Sequence, residues 1–177
     1  MANRHLPDVA NAWLRGAAAG AVATVPWTVG VMLGARGAHR GPLTPLWASA
    51  AALTGTPSPR TAGAAVGGLL LQVLVSTALG AAWTGLVGRY LRPTAAAVGG
   101  AVAGLGAWLV LTWLLLPVVA PALLTLTEDF PVAWLAAHLA WGVVLGLMAD
   151  ALEPPALLRA APPFGRWFRR GRARARA

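Results

Sequence analysis

Cysteine is absent from the chain, which removes disulfides, thiolate-bound zinc, iron–sulfur clusters and thiol nucleophiles together and leaves the redox compartment open. Lysine is absent as well, so the formal charge of +9 rests on 14 arginines set against 5 acids. Charge of either sign is scarce, at 11% of residues, and no catalytic motif stands out. What the chain has in quantity is apolar surface: 58% of its 177 residues are hydrophobic and the mean hydropathy is +0.66. That is too apolar for an ordinary soluble domain, and an all-α polytopic membrane protein is expected. Heavy use of Ala, Arg, Gly and Pro points to a bacterial gene rich in G and C.

A hydrocarbon core of about 30 Å needs roughly 20 apolar residues in a helix, and four runs are long enough: about 16–35, 63–87, 94–119 and 130–149. Backbone polar groups have no partner in lipid outside a helix or closed barrel, and these runs lack the alternation of barrel strands. The first run follows Arg4 and Arg15 as a signal peptide would. It is too long for one, carries Pro26 and Trp27 at its centre, and is read as a retained helix. The domain expected is thus residues 16–152, with a cytoplasmic N-terminal segment 1–15 and an arginine-rich tail 153–177.

Arginine placement sets the orientation. With the N-terminus in the cytoplasm, the inner side holds Arg4, Arg15, Arg89, Arg92 and the seven arginines from Arg159 to Arg176, against Arg36, Arg40 and Arg60 outside. Both termini are expected on the cytoplasmic face of a bacterial inner membrane. The short TLTEDF loop before the fourth helix carries only acids, Glu128 and Asp129.

The outer loop 36–62 contains LTPLWASAAALTG, apolar but too short to cross. An ordered loop is expected there, with a surface-lying or re-entrant helix as the alternative. After Asp150, paired prolines in EPPALLRAAPP end the last helix. In the tail FGRWFRRGRARARA, Arg166, Arg169, Arg170, Arg172, Arg174 and Arg176 either fix topology in a disordered segment or hold anionic lipid headgroups, each worth about 1 kcal/mol near the surface. Nucleic acid is the least favoured partner.

Spacing organises the membrane segment. Steps of four collect small and polar residues on every helix: Ala12, Gly16, Gly20, Thr24 and Thr28 on the first; Ala64, Gly68, Gln72, Ser76, Gly80, Thr84 and Gly88 on the second; Ala96, Gly100, Gly104, Trp108 and Thr112 on the third; Trp134, His138, Gly142, Gly146 and Asp150 on the fourth. Lipid gives helices no hydrophobic reason to associate, so small residues repeated every four let backbones approach closely. A four-helix bundle packed through these stripes is expected. Thr28, Gln72, Thr112 and His138 each fall roughly 8 to 14 Å from the outer boundary and form a candidate polar cluster. That cluster suits either a polar substrate or proton path, or plain packing in which neutral His138 trades a hydrogen bond with Gln72 or Thr112; packing is favoured. Asp150 lies about 18 Å further along the helix, near Arg89 or Arg92, and does not pair with His138. Pro26 is read as a kink that frees the Val22 carbonyl beside Thr24. Trp13, Trp47 and Trp167 suit the interfaces, while Trp27, Trp108 and Trp113 are expected to fill the bundle.

The stretches RGAAAGAVATVPW, GGAVAGLGAW, and EDF leading into AAHLAWG resemble small uncharacterised bacterial inner-membrane proteins of the YagU-like type. The resemblance covers the first helix and the last two. It implies a four-helix inner-membrane protein without an assigned activity, with His138 and Trp141 as family features. The expected function is that of a non-enzymatic protein that associates with itself or a membrane partner and holds anionic lipid with its tail. The alternative is a small transporter or channel component built on the polar cluster. His138 has neither a nucleophile with an activating base nor the further ligands a metal needs, so no catalysis, metal or cofactor is expected.

Overall fold

A computed structural model describes residues 9–55 and 60–152; the tail arginines Arg166, Arg169, Arg170, Arg172, Arg174 and Arg176 lie outside the described residues, as does Arg4. The described residues are helical apart from short connections, with no strand among them. Helix α1 spans Val9–Gly37, α2 Thr44–Thr54, α3 Ala62–Leu86 and α4 Pro93–Leu109; a π-helical segment, Val110–Leu115, continues α4 into α5, Leu116–Val119, and α6, Pro121–Asp129, precedes α7, Pro131–Ala151. Proline stands in the first turn of α2, α4, α5, α6 and α7, where its missing N–H has no helical partner to lose.

Four stretches are long and apolar enough to cross a membrane: Val9–Gly37, Ala62–Tyr90, Thr94–Val119 and Pro131–Ala149. Their ends match the sequence expectation except at the start, where α1 begins by Val9 rather than near residue 16. At 29 residues α1 is about 43 Å long, more than a hydrocarbon core requires, which leaves length for its first turns beyond such a core. Arg15 is compatible with helix there because its stem can run along apolar surface.

The spans pack in the order α3, α1, α7, α4, and α3 and α4 make no extensive contact with each other. Glycines set each close approach. A Cβ at Gly16 or Gly20 would collide with the carbonyl of Gly80 or Ser76, and one at Gly80 with the carbonyl of Gly16. Gly100 and Gly104 meet the carbonyls of Gly142 and His138 in the same way, and Gly142 and Gly146 those of Gly100 and Ala96. The bundle is therefore held by small-residue stripes, two antiparallel pairs joined by α1 on α7. That third contact uses a second face of α1, where Gly30 lies against Ala137, Gly34 against Ala133 and Phe130, and Ala19 and Ala23 against Trp141 and Leu145.

Gly68 has a different partner. It receives the carbonyl of Leu46 from α2, so the stretch expected as a loop is a helix folded onto α3. Its contact with Gln72 lies about 15 Å along α3 from Ala62, which puts α2 well below the end of the span. All of TLTEDF but Phe130, likewise read as a loop, belongs to α6, which ends at Asp129, paired with Arg40 at 2.9 Å. The third span is also not a uniform α-helix. Pro117 has no N–H for the Trp113 carbonyl, and widening the preceding turn to π geometry lets the chain pass that point. The altered register turns Trp113 outward, 72% exposed, rather than into the bundle.

Candidate functional site

Because α3 and α4 stand apart, the bundle encloses a cavity of about 300 Å³ between them. Leu71, Val75 and Leu79 line one side, one turn apart on α3, and Leu111, Leu115 and Val119 line the other at the same spacing. Val75, Leu79, Leu115 and Val119 are also exposed at the outer surface of the bundle, so these two ridges are the lips of a lateral mouth. Ser49 and Ala52 of α2, with Ala120 and Leu123 beside α6, line the end towards the short helices. The rear wall is made by Trp27 of α1 and by Trp134, His138 and Trp141 of α7. Almost all of the surface presented to the cavity is aliphatic or indole carbon.

The polar side chains around it are tied up in three short networks. Ser76 Oγ donates to the Gly20 carbonyl at 2.6 Å and accepts the Trp141 indole N–H. Gln72 Nε2 donates to Ser49 Oγ at 2.9 Å, Ser49 donates to the Pro45 carbonyl, and Thr28 Oγ1 donates to Gln72 Oε1 at 3.4 Å. Trp134 Nε1 donates to Thr112 Oγ1 at 3.1 Å. Thr24 donates to the Gly20 carbonyl, one turn back, and not to the Val22 carbonyl that Pro26 was expected to free.

His138, 3% exposed, sits edge-on between two tryptophans, its ring centroid 4.9 Å from that of Trp134 and 5.7 Å from that of Trp27. Its Nδ1 lies 2.8 Å from the Trp134 carbonyl and 3.4 Å from Trp27 Nε1. One nitrogen cannot donate to the first and accept from the second. The carbonyl is an acceptor only and is the closer contact, so Nδ1 carries the proton and Nε2 keeps its lone pair.

Of the four residues expected to cluster, Thr28 pairs with Gln72, while Thr112 and His138 both meet Trp134. The hydrogen bond expected from His138 to Gln72 or Thr112 is not formed. Trp134 stands between His138 and Thr112, and of the four only Gln72 and His138 line the cavity. Ser49, Ser76 and the indole N–H groups were missed as site residues; Ser76 was visible on the second stripe, but its indole partner was not. At the opposite end of the bundle Arg89 lies over the Tyr90 ring, 4.6 Å from its centroid. The expected placement of the Asp150 side chain near Arg89 or Arg92 falls outside the described residues.

No family model, curated protein or solved structure matches the chain.

Proposed function

We propose that this is a non-enzymatic integral membrane protein that takes a hydrophobic molecule from the surrounding bilayer into the cavity between α3 and α4. The observation that carries the reading is the lateral mouth: two ridges of aliphatic side chains, exposed on the bundle surface, lead directly into the apolar interior. Water gains little in such a space, because almost all of the surface presented to it is carbon. Hydrocarbon loses nothing on entry and gains packing contacts with the indole wall. The arginine bias supports a bacterial inner membrane with both termini cytoplasmic, and the tail suits anionic headgroups. Association with a second copy or a membrane partner would use surfaces other than the glycine stripes, which are filled by contacts inside the chain.

Native mass spectrometry from a lipid mixture tests the reading. The protein should retain a discrete hydrophobic adduct through detergent exchange, and Ala107→Trp, which fills the cavity, should lose it. Val102→Trp, on the 64% exposed lipid face of the same helix, should keep it. Equal retention by both variants, or no retention by the unaltered protein, would overturn the proposal.

A further inference from the structure

With the proton on Nδ1, two polar groups on the cavity wall are left unmet: Nε2 of His138 and the Trp27 indole N–H, whose partner atom is that same protonated Nδ1. Nε2 of His138 makes no hydrogen bond among the described residues, yet it is not among the side-chain nitrogens sealed off by protein. His138 lines the cavity, which puts the ring that carries this nitrogen in its wall. An acceptor buried in apolar surroundings without a donor costs free energy, and a ligand that brings the donor recovers it. The hydroxyls of Ser49 and Ser76 and the Gln72 amide are committed to other partners, and the Trp27 indole N–H lies against Nδ1 rather than Nε2.

We infer that the cavity selects a membrane-resident molecule with an apolar body and a single hydroxyl, whose proton is shared with Nε2 of His138. The inference rests on the proposed uptake of a hydrophobic molecule through the lateral mouth and adds the polar feature by which one such molecule is told from another. The tautomer gives the selection its sign. With the proton on Nδ1, Nε2 accepts and does not donate, so an alcohol is held there, while a ketone or ester of the same length has only the Trp27 indole N–H to meet. A free hydrocarbon fits the walls and leaves the nitrogen bare.

Trp27, Trp134 and Trp141 in the wall provide the readout. With Trp13 and Trp113, exposed on the bundle surface, replaced by Phe, bromododecane entering the cavity should quench the fluorescence of the wall tryptophans in protein reconstituted in a bilayer, and dodecanol, dodecane and a dodecanone are then compared as competitors at equal mole fraction. Dodecanol should displace the quencher about five- to tenfold better than the other two, the preference expected for one hydrogen bond to a buried acceptor. His138→Phe should keep the quenching and lose the preference, whereas His138→Gln, whose amide oxygen also accepts, should keep part of it. The ¹⁵N resonance of Nε2 should move on adding dodecanol and stay in place with dodecane. Quenching with no preference among the competitors, or a preference for the ketone, would overturn the inference and leave the hydrophobic cavity intact. Absence of any bromododecane quenching would overturn the underlying reading as well.

Discussion

Ser76 joins three helices through one hydroxyl, donating to the α1 backbone at Gly20 and accepting from Trp141 of α7. Hydrogen bonds inside membrane proteins are worth about 0.6 kcal/mol on average, because the separated helices also find partners. A buried indole N–H left without an acceptor costs more than that mean. Ser76→Ala should therefore lower stability by about 1 to 2 kcal/mol in reversible unfolding from a bilayer mimic, and Trp141→Phe by a similar amount. The double variant should fall short of the sum, since both changes remove the same bond. At this scale the sequence was half legible. Periodicity and depth picked out Thr28, Gln72, Thr112 and His138 as polar residues at one level. Which of them touch depended on the tryptophans, whose indole N–H groups reach across helices in directions no single-helix pattern records.

Helices pack here by backbone contact, so the element scale is governed by volume at a few glycines. Leucine at Gly80 or Gly142 would drive a side chain into the carbonyl of Gly16 or Gly100. Either change should cost about 1 to 3 kcal/mol, read as a lower melting temperature in detergent. Leu70→Ala, at a position 63% exposed to lipid, should change it little. Equal effects at all three would mean that the stripes do not hold the bundle. The four spans and their stripes were legible because a repeat of four is a property of one helix. The helical nature of α2 was not, since an 11-residue apolar stretch reads equally as a loop, and its deciding partner, Gly68, seemed already explained by the stripe. The π turn before Pro117 was also invisible as hydropathy. Its mark is the proline itself, and the outward Trp113 is the consequence.

For the molecule as a whole, orientation and the lateral mouth are the two claims that matter. If arginine bias decides orientation, single cysteines introduced near Arg60 and Asp129 should react with an impermeant thiol reagent added from the periplasmic side, and ones near Arg89 and Arg172 should not. Labelling of the tail from outside would reverse the assignment. The mouth was beyond the reach of sequence reading, because it follows from the order of helices around the bundle. Four striped helices close a ring if each pairs with two others, whereas here α3 and α4 each take one principal partner among the spans. Leu123 and Leu145 separate these cases, being almost equally buried at 8% and 0% exposure, with only Leu123 lining the cavity. A photoreactive leucine analogue placed at each position in native membranes, then activated, measures directly what each side chain touches. The account predicts adducts with small hydrophobic molecules at position 123 and only intrachain cross-links at position 145; intrachain cross-links alone at both would contradict it.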